Sequence, residues 1–151
     1  MLLDSSGLQV LSDEECFALL SAAPIGRIVF TDRALPAVQP VNFCLDGRTI
    51  VIRTSIGSKL AAATRRAVVA FEADEFDREL RIGWSVTAVG QAREVTDPGE
   101  LHRLAALPLT TWAPGRRDHY IAVAAEHISG RRITATRPDD REATYGRPTP
   151  R

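Results

Sequence analysis

The run from Ile82 to Val95 constrains the fold more than any other stretch of the chain, because it reads as one continuous β-strand. Strands of globular proteins usually span about 3–10 residues, so a flat strand of this length is not expected. Gly90 lies inside the run, and a glycine within a strand marks a bend or a bulge. Bends of this kind let a sheet curve into a barrel, so the run predicts a strongly curved sheet.

The other strands are predicted from short apolar runs separated by turn residues. Asp32-Arg33-Ala34 is predicted as a turn, and Asp46-Gly47 as a hairpin turn of type I′. Residues 75–80 are mostly charged and are predicted as a connecting loop. The predicted strands are residues 25–31, 35–45, 49–53, 67–74 and 120–133, the last interrupted near Gly130.

The second of these strands contains two prolines, Pro36 and Pro40. Proline cannot donate a ladder hydrogen bond, so the strand is predicted to be an edge or to break near Pro40. Backbone groups around Pro40, Val41 and Asn42 would then be available to something other than a neighbouring strand. A plain edge strand with a bulge is the alternative that the sequence leaves open.

Two helices are predicted from their first residues. Ser12 and Glu15 form a capping box, and Pro24 ends the helix that follows. Asp97 and Glu100 repeat the pattern, with proline at the first helical position. A third, short helix is predicted from Leu60 to Thr64. The predicted inward-facing residues are Cys16, Leu19, Leu20 and Ala23 of the first helix and Leu101, Leu104 and Ala105 of the second.

This order of elements predicts a mostly β fold, an antiparallel sheet of six strands or so closed into a barrel with helices outside. A chain of 151 residues is most simply one domain, here residues 1–136. Residues 137–151 are rich in Pro, Asp, Arg and Thr and are predicted to be a disordered tail.

Composition excludes several classes of function. Nineteen basic and 19 acidic residues cancel, which argues against a nucleic-acid or anionic-membrane partner. Met1 to Gln9 has no basic region of a secretory signal, and no apolar run approaches the roughly 18 residues that span a bilayer. Cys16 and Cys44 are expected to be reduced thiols. A cytoplasmic location is therefore expected.

The stretch from Ile50 to Leu60 predicts an anion site. A β-branched strand runs into the small residues of Thr-Ser-x-Gly-Ser, and a helix start follows. Backbone N–H groups and the helix dipole favour an anion there, and Arg53 and Lys59 flank it. Lys59 is the only lysine of the sequence, against 18 arginines. An ordinary strand and helix, with Lys59 as a solvated surface residue, remains the alternative.

The sequence predicts no catalytic side chain and no metal site. His102, His119 and His127 show no metal-ligand spacing with each other or with the cysteines. GxSxG, HExxH, GxGxxG and Walker patterns do not occur. Any catalysis would therefore be supplied by a bound cofactor.

Three stretches together resemble the pyridoxamine 5′-phosphate oxidase-like flavoproteins, most closely the small bacterial branch of that superfamily. The resemblance covers residues of about 10 to 133, in order and with matching spacing. It rests on Pro40-Val41-Asn42, on Arg53-Thr54-Ser55-Ile56-Gly57-Ser58-Lys59, and on Gly83-Trp84-Ser85-Val86 followed by Gly90-Gln91-Ala92.

The resemblance implies a split barrel that forms a homodimer and binds FMN at the interface between the two copies. The implied phosphate ligands are Arg53, Thr54, Ser58 and Lys59. Pro40, Val41 and Asn42 would lie along the isoalloxazine ring, and Ser85 and Trp84 would reach the cofactor from the second copy.

The implied activity is that of an FMN-dependent oxidoreductase, with hydride transfer at the flavin N5 to or from an unknown small molecule. Asn42 stands where vitamin B6 oxidases carry a basic residue, so the resemblance does not imply that substrate. Two alternatives share the fold: a deazaflavin-dependent reductase, and a non-catalytic protein that binds flavin or haem. A barrel that only mediates interaction is the third.

Overall fold

A computed structural model describes residues 1–55, 58, 60–61, 64–115 and 117–135 of the chain. Within these ranges the chain forms eight strands and two helices. In chain order they are β1 (Gln9–Val10), α1 (Asp13–Ala22), β2 (Ile25–Asp32), β3 (Leu35–Asp46), β4 (Thr49–Thr54), β5 (Val68–Asp77), β6 (Ile82–Glu94), α2 (Pro98–Ala105), β7 (His119–Ala124) and β8 (His127–Ile133).

Six of the strands form a closed antiparallel barrel. Neighbours around the ring follow the order β6, β5, β2, β3, β4 and β7, and β7 returns to β6. β8 pairs with the second edge of β6 outside this ring, and β1 pairs with β8. The predicted mostly β fold, a barrel of about six antiparallel strands with flanking helices, is confirmed.

The long strand β6 closes the barrel by changing partners. One edge pairs with β5 as far as Gln91, while the other pairs with β8 as far as Val89 and with β7 from Ala92 onward. Gly90 lies at the change, where a Cβ atom would overlap the carbonyl oxygen of Ala124. Glycine is required there by this close approach of two backbones.

β3 also changes partners and is not broken at Pro40. Leu35 to Asn42 pair with β2, and Phe43 to Asp46 pair with β4. Along its first eight residues β3 therefore has a strand on one side only, and its other side is a free edge, as the two prolines predict.

Both hairpins of this region have two-residue turns. Arg33 and Ala34 join β2 to β3 with φ of 50° and 65°. Gly47 and Arg48 join β3 to β4, and only Gly47 has a positive φ, 60°. Type I′ needs positive φ at both turn residues, so the predicted turn type is wrong. A glycine with positive φ at the first of the two turn positions is typical of type II′.

Three other local predictions are wrong. Residues 75–77 belong to β5 rather than to a loop, because Glu75 pairs with Trp84 across the sheet. The last strand is interrupted at residues 125–126, whereas Gly130 lies inside β8. Ala105 is exposed, while Leu104 is the residue of α2 that is buried.

The predicted helix caps are present. The Glu15 N–H donates to the Ser12 hydroxyl at 3.2 Å, and the Glu100 N–H donates to the Asp97 carboxylate at 2.8 Å. The predicted helix from Leu60 falls partly outside the described residues. The predicted tail, residues 137–151, lies wholly outside them, and the domain boundary at residue 136 stays a prediction.

The core lies inside the barrel, and α1 packs over it. Cys16 and Leu20 of α1 are fully buried there. Both cysteines are free, and burial raises the pKa of the Cys16 and Cys44 thiols. A second, smaller cluster forms where α2 packs against the outside of β4 and β7. It comprises Val51, Val95, Leu104, Leu109, Tyr120 and Ala122.

No helix of the described part of the chain is long and apolar enough to cross a bilayer.

Candidate functional site

The candidate site lies where β3 and β4 separate. Their ladder ends at the pair Phe43 and Ile52, so Asn42 and Arg53 are the first residues beyond it. A cavity of about 80 Å³ opens at this point. We call it the split cavity. The residues that line it include Pro40, Val41, Asn42, Arg53, Thr111 and Arg117.

The backbone of β3 presents alternate residues to the split. A two-residue hairpin is closed by a pair that exchanges two hydrogen bonds, here Asp32 and Leu35. The odd-numbered residues of β3 therefore bond to β2, and the even-numbered ones face away from it. Pro36 and Pro40 both occupy even positions, where no ladder bond is lost. The backbone N–H and C=O of Asn42 consequently face the split, whereas those of Val41 face β2.

Arg53 is held at the rim of the cavity by three contacts. Its Nε donates to the carbonyl oxygen of Arg117 at 3.0 Å, and its guanidinium lies 5.4 Å from the centre of the Tyr120 ring. One Nη lies 4.0 Å from the Asp118 carboxylate, which is half exposed. The side chain of Arg53 is 30% exposed. Arg53 therefore presents a fixed positive charge to the split.

Asn42 ties the loop before β7, residues 110–118, to the barrel. Its Oδ1 accepts from the Trp112 N–H at 2.8 Å, and its Nδ2 donates to the carbonyl oxygen of Pro24 at 3.1 Å. Together with the bond from Arg53, these contacts fix both ends of the loop against β3 and β4.

Arg117 is the residue of this site to which the sequence assigns no role. Arg117 lines the split cavity, and its Nε is buried without a hydrogen-bond partner among the described residues. The available signal is a loop that carries two arginines and a tryptophan between apolar segments. That signal does not show that Arg117 lies at the cavity.

Thr54 and Ser58 face away from Arg53. Successive residues of a strand point to opposite faces, and the Thr54 side chain is buried. Its hydroxyl lies 3.0 Å from the Ser58 hydroxyl, which accepts from the Ala61 N–H at 3.0 Å. A hydroxyl carries one proton, so the pair retains one O–H donor whichever way the shared bond runs. Lys59 lies outside the described residues, and its role in the anion site stays a prediction.

Trp84 and Ser85 lie elsewhere in the chain. Ser85 pairs with Asp74 of β5, and β5 and β2 separate it from β3. Three strand spacings correspond to roughly 14 Å along the sheet. Trp84 lines a different cavity of about 440 Å³, together with Phe76 and Ile133. A single chain therefore does not bring these two residues to the split cavity.

A charged cluster lies on the outer face of the barrel between these two regions. One Nη of Arg27 is 3.2 Å from the carboxylates of both Glu72 and Asp74. Burial and the neighbouring Asp74 raise the pKa of Glu72 to about 7, and the attraction of Arg27 only partly offsets them. The described residues contain no group of three His, Cys, Asp or Glu side chains that is arranged to hold a metal ion.

The donors around the split suit an anionic nucleotide. Arg53 and Arg117 line the cavity, and arginine forks match phosphate oxygens. The cavity is too small to enclose a three-ring flavin, since sites that enclose such ligands measure about 300–1,000 Å³. A flavin ring bound here would extend beyond the surface of one chain.

The fold and this site define a class of protein, the split barrels. The family model described as pyridoxamine 5′-phosphate oxidase matches residues 12–132, and the chain belongs to this family. An uncharacterised protein of Mycobacterium tuberculosis is 40% identical over 131 residues, which cover 83% of this chain and 85% of that protein.

Solved structures show the same fold. A FAD-binding protein from Mycobacterium smegmatis is 37% identical, with a TM-score of 0.71 over 82% of this chain and 96% of that one. A FAD- and haem-binding protein from the same organism has a TM-score of 0.67 over 93% of this chain and 87% of that one. At 18% identity, the second similarity shows the fold alone.

Proposed function

We propose that this protein is a flavin-dependent oxidoreductase that binds FMN or FAD where β3 and β4 separate, in a site completed by a second copy of the chain. One observation carries the proposal. Two arginines, Arg53 and Arg117, border a cavity at the split of the barrel, in a chain whose family and whose 37% identical relative, a FAD-binding protein, are associated with flavins.

Each part of the site has a role in this proposal. Arg53 pairs with a phosphate group of the nucleotide, together with Lys59. The hydroxyl groups of Thr54 and Ser58, predicted from the sequence as further phosphate ligands, face away from Arg53 and hydrogen-bond to each other. Charge-assisted hydrogen bonds contribute roughly 1.5–3 kcal/mol each, so several of them support tight binding. The backbone of Pro40 and Asn42 faces the polar edge of the ring, and Val41 between them anchors this stretch through its side chain in the barrel core.

A bound flavin supplies the redox chemistry, a hydride exchanged at its N5 with a small-molecule partner. The chain itself orients the ring, supplies hydrogen-bond donors to it and keeps water away from its reactive face. Chemistry supplied by the cofactor rather than by a side chain agrees with the lack of any nucleophile motif in the sequence.

The size of the cavity and the distance between the two regions support a second copy. The split cavity, at about 80 Å³, covers only part of a flavin. Ser85 and Trp84 lie roughly 14 Å along the sheet from the cavity in one chain, and in the proposed homodimer they approach the flavin from the second copy.

Titration of the purified protein with FMN and FAD tests the proposal, with quenching of flavin fluorescence as the measurement. Micromolar or tighter binding, followed by bleaching of the bound flavin on addition of NADH or NADPH, is the expected result. A protein that binds neither flavin contradicts the proposal.

The same titration separates the two alternatives. A deazaflavin coenzyme bound more tightly than FMN and FAD would assign the deazaflavin-dependent reductase. Flavin or haem that binds without reduction by either nicotinamide nucleotide would assign a non-catalytic binding protein.

A further inference from the structure

We propose that a second cavity beside the split binds the small-molecule partner of the flavin, and that this partner is an uncharged molecule. The proposal rests on the proposed function, because it names the class of substrate. The cavity measures about 360 Å³, at the lower end of the range of about 300–1,000 Å³ for sites of small organic ligands. We call it the neutral cavity. It lies between the end of α1, the second half of β3 and the loop before β7, and its lining includes Ser21, Ala22, Pro24, Asn42, Thr110 and Trp112.

The lining of the neutral cavity carries no charged side chain within the part of the chain that the structure describes. The split cavity differs, since Arg53 and Arg117 line it. Moving an ion out of water is costly unless an opposite charge or a set of hydrogen bonds compensates for the lost water. The neutral cavity offers no such charge, so an uncharged ligand is favoured there over an anion or a cation.

The end of α1 adds a further bias against anions. Ser21 and Ala22 are the last two residues of this helix, and its last turn contains no basic side chain. The C-terminal end of a helix carries a partial negative charge, because its last carbonyl groups have no partner within the helix. A phosphate or carboxylate at this end is repelled, whereas an O–H or N–H group of an uncharged ligand can donate to it.

Asn42 joins the three walls of the neutral cavity. Its Oδ1 accepts from the Trp112 N–H at 2.8 Å, and its Nδ2 donates to the carbonyl oxygen of Pro24 at 3.1 Å. One side chain of β3 thereby holds both the segment after α1 and the loop before β7. The cavity is formed before a ligand enters it, which lowers the entropic cost of binding.

The split cavity and the neutral cavity are consecutive along β3. Residues 39–42 of this strand line the split cavity, and residues 42–45 line the neutral cavity, so Asn42 borders both. Thr110 and Trp112 of the loop before β7 line the neutral cavity, while the residue between them lines the split cavity. A flavin ring that lies along Pro40 to Asn42 and extends beyond the split therefore has one edge at the neutral cavity.

Binding is tested first without cofactor, by two probes that share a ring system and differ in charge. Naphthol is uncharged at neutral pH, and naphthoate is an anion. Calorimetry measures the dissociation constants of both probes for the wild-type chain, for Ala22→Phe and for the control Ala18→Phe. Both alanines are exposed residues of α1; Ala22 lines the neutral cavity, and Ala18 lies one turn earlier.

We expect the wild-type chain to bind naphthol at least about tenfold more tightly than naphthoate, and FMN should not displace the naphthol. Ala22→Phe should weaken naphthol about fivefold or more because its ring fills the cavity, and Ala18→Phe should leave the affinity unchanged. The inference is overturned by a lack of naphthol binding, by equal binding of the two probes, by displacement with FMN, or by an unchanged affinity in Ala22→Phe.

The role of the site is tested in the flavin-loaded protein, with NADH as donor and naphthoquinone or its anionic sulfonate as acceptor. Naphthoquinone takes up a hydride that NADH supplies by way of the flavin, and a proton from water completes the hydroquinone, while NADH becomes NAD⁺. Ala22→Phe should raise the KM for naphthoquinone about fivefold or more and the KM for the sulfonate less than about twofold. Comparison of variant and wild type within each quinone cancels their difference in intrinsic reactivity. Equal effects on both quinones, or none, overturn the assignment of the cavity to the reaction partner.

Failure of the proposed function gives a different result. A chain that takes up no flavin, or whose bound flavin neither NADH nor NADPH reduces, refutes the oxidoreductase and the substrate assignment with it, even if naphthol binds as expected. A chain that binds and reduces flavin but shows no preference for the uncharged probes refutes the neutral cavity alone.

Discussion

Arg53 combines a structural contact with a charge that is available to a ligand. Its Nε is used in the bond to Arg117, and its planar group lies against Tyr120, yet nearly a third of the side chain remains exposed. An arginine fixed in this way loses less entropy on binding a phosphate than one that is mobile in solvent.

Replacement of Arg53 by alanine is expected to weaken FMN and FAD binding by about 10- to 100-fold, the loss of one charge-assisted contact. Fluorescence titration measures the change. Arg48→Ala is the matched control, because the side chain of Arg48 is 67% exposed and lies at the far end of the same hairpin. Equal affinities in the two variants would remove Arg53 from the site.

Glu72 makes the stability of the protein depend on pH. Its pKa of about 7 in the folded chain exceeds the ordinary value of 4.5, because burial and Asp74 disfavour its charged form. Between these two values the folded chain holds more protons than the unfolded chain. The contribution of Glu72 to stability is therefore fully present below pH 4.5 and is lost as the pH rises through 7.

The variant Glu72→Gln cannot ionise, so the decline of melting temperature with pH between about 5 and 8 is expected to be shallower than in the wild-type chain. Thermal unfolding in a series of buffers of equal ionic strength measures both slopes. Glu14→Gln removes an exposed carboxylate of α1 and should leave the slope unchanged. Parallel slopes in wild type and Glu72→Gln would contradict the assignment.

The sequence predicts those site residues whose role depends on local chemistry. Pro40 and Asn42 are identified because prolines mark an unpaired strand edge, and Arg53 because it ends a β-branched run. Arg117 cannot be found in this way, since it reaches the cavity only because the loop before β7 folds back against β3 and β4. Nothing within a few residues of Arg117 encodes that contact.

At the scale of whole elements the same distinction holds. The starts of α1 and α2 depend on capping side chains within three residues, and both are predicted correctly. The end of β5 depends on a partner strand, so the charged residues after Asp74 continue the sheet contrary to the prediction. Gly130 is small because Cys16 of α1 packs against it, at 2.7 Å from where a Cβ would be, and not because the strand ends.

Gly90 is the element-scale position where substitution should be most costly. An alanine Cβ would overlap the backbone carbonyl of Ala124, and neither strand can move without breaking the closure of the barrel. Gly90→Ala is expected to lower stability by about 3 kcal/mol or more. This corresponds to a melting temperature roughly 6–12 °C lower for a chain of this length.

Gly99→Ala is the control for this experiment. The nearest atom to its added Cβ would be a side-chain oxygen of Asp97 at 3.3 Å, which can rotate away. Its position in the first turn of α2 tolerates alanine, so its melting temperature should stay within a few degrees of wild type. A Gly90→Ala variant as stable as Gly99→Ala would show that the closure of β6 is not tightly packed.

For the whole molecule, the question is whether one chain holds a complete site. Asn42 and Ser85 lie in one row across the outer face of the sheet, through Ile25 of β2 and Asp74 of β5. Their separation of roughly 14 Å exceeds the reach of either side chain. We propose that these two regions meet across the interface of two copies of the chain rather than within one copy.

Subunit complementation distinguishes a shared site from one within a single chain. Arg53→Ala and Ser85→Trp are each expected to bind flavin weakly as homodimers, the first by loss of a phosphate contact and the second by filling the space of the ring. In a mixed dimer with two-fold symmetry, one site receives both damaged residues and the other receives neither. Equal co-expression gives about half mixed dimers, so about a quarter of all sites should regain wild-type affinity.

Differently tagged chains allow the mixed dimer to be purified, and titration of that dimer should reach one flavin per dimer. If Arg53 and Ser85 serve the same site within one chain, every site in the mixture carries one damaged residue and no tight binding returns.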